Sequence, residues 1–184
     1  MSTLRDGPWG IAMEETDRVR WDFVPFVRVG PLRFGMDHEQ VVAAIGPAGS
    51  QRIGRCADFW QVAPQGDLWP ETQVTAHYGD AGRVCGVAIS ARRGPQVTWE
   101  GVDLVGGVPS VVEERLRVHA TSHGVVDFRY SPDGLALEEF GVVMRVERTG
   151  DVLLTRPVFV AREWAATAGD PSSGPLSTHE WRMG

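Results

Sequence analysis

Hydrophobic positions recur with two different periods along the chain, and the change of period separates helices from strands. The clearest helical spacing is at Val41, Val42 and Ile45. Asp37 precedes it as an N-cap, Gln40 stands in the capping-box position, and Gly46-Pro47 supplies a terminating glycine followed by a helix breaker. This pattern predicts a short helix that packs one face on a sheet. A second helix is predicted from Pro109 to about His119, with proline in the first turn, Val112 and Leu116 one turn apart, and Gly124 beyond the end.

The remaining hydrophobic runs suit strands. Valine alone fills 25 positions, a β-branched excess interrupted by glycine and proline turns. One hairpin is predicted from 73–78 and 83–91 around Gly79-Asp80-Ala81-Gly82, and another from 125–130 and 135–140 around Ser131-Pro132-Asp133-Gly134. Further strands are expected at 97–99, 141–147, 152–155 and 158–161. The fold class is α+β: an antiparallel sheet with two short helices packed on it, built from a degenerate tandem helix-plus-hairpin repeat. Tyr78 and Gly82 match Tyr130 and Gly134 at an offset of 52, whereas the helices are offset by about 71. The half-repeats are 30–100 and 101–160 within a single domain at 19–164. A polar arm at 1–18 and a flexible tail at 165–184, containing Gly169-Asp170-Pro171-Ser172-Ser173-Gly174-Pro175, flank that domain.

Composition narrows the chemistry. All 18 basic residues are arginine, and the 184-residue chain contains neither lysine nor asparagine. That excludes a Schiff-base lysine, a phosphate-loop lysine and an N-glycosylation site, and it suggests a gene from a high-GC bacterium. The net charge of -6 works against a nucleic-acid partner, because phosphate binding relies on clustered cations. No apolar window is long enough to span a bilayer, and Asp6, Glu14, Glu15 and Asp17 interrupt the N-terminal stretch where an export signal would lie. A cytoplasmic protein is the expectation. Cys56 and Cys85 form neither a C-x-x-C pair nor a dense framework, so no zinc cluster or disulfide scaffold is indicated.

No catalytic constellation emerges, and no cofactor is expected. His119-Ala120-Thr121-Ser122-His123 has the i, i+4 spacing of a metal-binding helix, but alanine stands where a metalloprotease base would be. The pattern reads as histidines favourably placed at a helix C-terminus, and no metal site is expected there. The carboxylates Glu138 and Glu139 point to opposite faces of a strand, so one of them is available to pair with Arg129 across the hairpin.

Aromatic and arginine residues supply the candidate binding surface: Phe59, Trp60, Trp69, Arg92 and Arg93. Tryptophan and arginine are frequent interface anchors because they combine large area with a polar handle. An alternative is a ligand pocket against the sheet, lined by His77, Tyr78, Glu100 and Tyr130, in which His77 would act as acid or base.

The segment Gly30-Pro31-Leu32-Arg33-Phe34-Gly35-Met36-Asp37-His38-Glu39-Gln40-Val41 through Gly46 resembles the opening of the repeat in beta-lactamase inhibitory proteins and in small outer-membrane assembly lipoproteins. The resemblance implies a helix packed on an antiparallel sheet, with protein binding rather than catalysis as the function. Two features depart from it: those families are exported, and the inhibitor repeats carry disulfides that Cys56 and Cys85 do not reproduce. The functional expectation is a non-catalytic cytoplasmic module, inhibitor-like or immunity-like, whose partner is another protein rather than nucleic acid or membrane. The rival expectation is a small-ligand-binding protein or enzyme.

Overall fold

A computed structural model describes Ala12 and residues 15–45, 74–79, 81–131 and 134–170, together with the backbone of strands at 51–52 and 59–62. A 3-10 turn at Glu15–Asp17 precedes β1 (Arg20–Val24), β2 (Arg28–Val29) and β3 (Leu32–Arg33). Helix α1 (His38–Ile45) leads into β4 (Gln51–Arg52), β5 (Phe59–Val62), β6 (Val74–Tyr78) and β7 (Val84–Ile89). After β8 (Gln96–Trp99) and β9 (Val102–Asp103), helix α2 (Pro109–Ser122) leads into β10 (Arg129–Ser131), β11 (Gly134–Leu137), β12 (Val142–Thr149) and β13 (Val152–Val160). A 3-10 helix at Arg162–Thr167 follows.

The strands form two sheets. A five-stranded sheet has the order β3-β2-β1-β8-β9, and an eight-stranded sheet has the order β10-β11-β12-β13-β7-β6-β5-β4. Only the β1–β8 contact is parallel among the described pairs; the fold is α+β with mostly antiparallel sheets, as the pattern predicts.

Each helix leads into four antiparallel strands, and the two runs meet along their last strands, where Phe159 lies opposite Val87. This topology makes β6–β7 the counterpart of β12–β13. The sequence match at an offset of 52 instead pairs β6–β7 with β10–β11, which hold a different place in the order. Short hairpins share turn chemistry wherever they lie.

The local signals act as read. Asp37 Oδ1 accepts from Gln40 N at 2.9 Å, and Gln40 Oε1 accepts from Asp37 N at 3.0 Å, closing the capping box of α1. Helix α2 buries Val112, Leu116 and Ala120. It ends where Val125 N donates to Ala120 O at 3.1 Å, with Gly124 at φ +90°. That left-handed step costs glycine nothing and turns the chain away from the helix. The strands expected at 152–155 and 158–161 merge into one. Pro157, which has no N–H to give, falls where pairing with β7 has yet to begin at Val158.

One face of the eight-stranded sheet packs on both helices and on the smaller sheet. Val41, Val87, Ile89, Leu104, Leu116, Leu135, Met144 and Phe159 are buried there with Trp99, and each such side chain contributes about 1.5–3 kcal/mol through burial. The other face carries a smaller apolar cluster of Ala88, Ala136, Val143, Val158 and Val160, covered by Ala168 and Trp164.

The packed chain also passes the boundaries expected from composition. Arg18 is buried, donating to Gly94 O and Ala91 O at 2.6 Å each, and Ala165 and Ala168 are buried beyond residue 164. Arginine and small residues read as arm and tail in one dimension, yet here they satisfy loop carbonyls and fit against a sheet.

Candidate functional site

The structure separates the four residues proposed for a pocket. Strand β6 turns His77 and Tyr78 to opposite faces, as strand geometry requires. Tyr78 enters the main core beside His38, where burial and then Asp37 push its hydroxyl above the ordinary phenol range. His77 is fully buried on the second face, opposite Gly86. A Cβ at Gly86 would stand 3.4 Å from that of His77, so the glycine makes room for the imidazole. Tyr130 lies on β10, five strand positions from β6 in the sheet order, or roughly 24 Å at the usual strand spacing. Glu100 belongs to the β8–β9 turn of the other sheet.

His77 shares its face with Arg145 and Arg156, which lie directly opposite each other on β12 and β13. Burial, followed by Arg156 and Arg145, pushes His77 down to about 3, leaving a neutral imidazole at physiological pH. Burial lowers Arg156 to about 10 against the opposing pull of Glu147. The Glu147 carboxylate lies 3.8 Å from Arg156 Nε and 3.1 Å from Arg92 Nε, and accepts from Ala91 N at 2.8 Å. Thus Arg92, expected at a partner surface, ties the β7–β8 loop to β12 and also donates to Arg148 O at 2.6 Å. Arg93 is half-buried. Phe59 and Trp60 fall on β5 as adjacent residues, and Trp69 and Cys56 lie outside the described residues.

A different arrangement brings Glu100 together with both histidines of the 119–123 motif. The β8–β9 hairpin turns on Glu100-Gly101, with φ +46° and +89°, the two left-handed steps of a type I′ turn. This turn meets the C-terminal end of α2. Glu100 Oε2 lies 3.5 Å from His119 Nε2 and 3.3 Å from His123 Nε2, and the three ligand-type atoms lie within 4.8 Å of one another.

Trp99 forms the floor of this group, its ring 4.5 Å from His119 and perpendicular to it, and Phe140 closes one side at 4.4 Å from Trp99. His123 Nδ1 lies 3.0 Å from His119 O. A carbonyl only accepts, so Nδ1 is the donor in this bond and Nε2 is the ring nitrogen turned towards Glu100. Burial and the neighbouring His123 lower the His119 pKa, partly offset by Glu100. The sequence supplied the histidine spacing; the third group comes from a turn brought in by tertiary packing.

The edge of the large sheet holds one further feature. Val126, Phe128 and Tyr130 occupy alternate positions leading into and along β10, and Val126 and Tyr130 are 83% and 57% exposed. Arg117 of α2 sets its guanidinium 5.1 Å from the centre of the Phe128 ring and reaches Tyr130 Oη at 3.4 Å. The cross-hairpin pair expected for Arg129 is present, with Glu138 at 2.8 Å. No helix among the described residues is long and apolar enough to cross a membrane. A scan against protein-family models, a search of curated proteins and a search of solved structures each found no match to this chain.

Proposed function

We propose that the protein is a non-catalytic protein-binding module of the cytoplasm, built by tandem duplication of a helix and a four-stranded run, and that it engages its partner along β10. The observation that carries this reading is the exposed pair Val126 and Tyr130, with half-buried Phe128 between them, leading into and along β10 at the edge of the sheet. An exposed apolar edge is a costly feature to leave in water, and it is suited to receiving an extended segment of another protein. Arg117 strengthens the surface by holding Phe128 and Tyr130 in place before binding. The Cys85 thiol, which donates to His77 O at 3.4 Å, suits a reducing compartment.

The test is affinity capture from native cells with the full chain and two variants. The wild-type chain is expected to retain a stoichiometric protein partner, and Val126→Asp and Tyr130→Asp to lose it while keeping the wild-type melting temperature. Recovery of no stoichiometric partner, or of one that both variants retain, overturns the reading.

A further inference from the structure

We infer that Glu100, His119 and His123 form a binding site for one divalent transition-metal ion of the zinc class. The inference is independent of the proposed docking edge and rests on the convergence of three donor atoms. In a tetrahedral zinc shell, ligands at 2.0–2.2 Å from the ion stand roughly 3.3–3.6 Å from one another. The two separations from Glu100 Oε2, 3.5 and 3.3 Å, match that edge length.

The orientation of the rings points the same way. His123 uses its Nδ1 on His119 O, which leaves Nε2 as the nitrogen turned towards the carboxylate. His119 Nε2 is buried and makes no hydrogen bond to a described residue, although it too is directed at Glu100. Two imidazole nitrogens and a carboxylate oxygen converging within 4.8 Å of one another place three ligand atoms around one position that a cation fits. A nitrogen-rich set with a single carboxylate selects zinc, cobalt or nickel over calcium and magnesium, which favour oxygen cages.

The supporting framework is rigid. The imidazoles come from the last turn and the cap of one helix, Trp99 and Phe140 fix their ring planes, and the carboxylate sits on a two-residue turn between paired strands. The Nδ1 contact of His123 to a backbone carbonyl is the outer-shell bond that orients metal-ligating histidines. The Glu100 side chain is 60% exposed, so the site opens to solvent and leaves a fourth coordination position for water, as in open rather than structural zinc sites.

The experiment is titration of the purified full chain with cobalt(II), read by visible absorption, and with zinc(II), read by calorimetry. The wild type is expected to bind one ion per chain and to give the intense cobalt bands of four-coordination. Glu100→Gln, His123→Gln and the double variant His119→Ala/His123→Ala should each weaken binding more than about tenfold, the scale that even outer-shell changes reach. Circular dichroism checks that each variant folds, and Glu100→Gln, at an exposed turn, separates loss of ligation from loss of structure. Failure of the wild type to bind either ion overturns the inference, as does undiminished binding by the double variant, which would reveal an adventitious ion elsewhere on the chain.

Discussion

Two clusters of ionisable groups differ in almost every physical respect. His77, Arg145, Arg156 and Glu147 lie on the second face of the large sheet, where His77, Arg145 and Arg156 are buried and Glu147 bridges strand to loop. Glu100, His119 and His123 stand at the meeting of a turn and a helix end, with the carboxylate reaching into solvent. In the first cluster, the carboxylate is answered by donors, Ala91 N and the Arg92 and Arg156 guanidinium groups. In the second, two imidazole nitrogens and a carboxylate oxygen converge on one point. Burial with answered charges marks a structural element, whereas convergent ligand atoms at an open mouth suit a ligand.

The largest expected effect tests the scaffold that both clusters depend on. Val112→Asp, on the core face of the helix that supplies both histidines, should destabilise by about 4 kcal/mol or more, because it places an unpaired charge in the main core. Denaturant unfolding measures this, and an unchanged midpoint would remove α2 from the core. Next, Glu147→Ala should cost about 3–5 kcal/mol by leaving the buried Arg156 guanidinium without that carboxylate. A loss below about 1 kcal/mol, the scale of an exposed ion pair, would erase the contrast between the clusters.

Acid sensitivity provides a third test. The His77 imidazole takes up a proton below about 6.5 when the chain is unfolded, but only near 3 when folded. Between those values the unfolded state binds more protons, so stability is unaffected above the window and falls as the pH drops through it. The loss attributable to His77 should be about 3 kcal/mol between about pH 7 and about pH 4. His77→Leu should flatten that part of the stability profile, and an equally steep profile in the variant would contradict the assignment. The smallest effect is expected at the open cluster, where Glu100→Gln without metal should change stability by no more than about 0.5 kcal/mol, as for other exposed substitutions.

The legible parts of the molecule were those fixed by neighbours in the chain. Asp37 and Gln40 announce the start of α1 and Gly124 the end of α2. The Arg129–Glu138 pair follows from hairpin geometry. Apolar period sufficed for the main core because Val112 and Leu116 meet it through one helix face. The second face resisted the same reading because Thr75, His77, Arg145 and Arg156 are buried polar residues in positions that pattern alone assigns to solvent. Arg92 likewise has the composition of a surface anchor, and only the approach of β12 shows that it serves Glu147.

The Glu100 group shows the same limit from the other direction. The histidine spacing is local and visible, and Ala120 stands where a metalloprotease base would be. The carboxylate that completes the group arrives through the packing of the β8–β9 turn against α2, a contact that no local spacing encodes. Tyr130, which residue type alone groups with Glu100 and His77, lies on the far edge of the large sheet.

The contrast between a structural cluster and a ligand-ready one is tested most directly by thermal unfolding of the wild type and of His119→Ala/His123→Ala, with and without zinc. Ligand present at about 100 times its dissociation constant adds about 2.7 kcal/mol to the folded state. The expected result is a rise in the wild-type melting temperature on adding zinc and none in the double variant; no rise in the wild type, or the same rise in both, would contradict it.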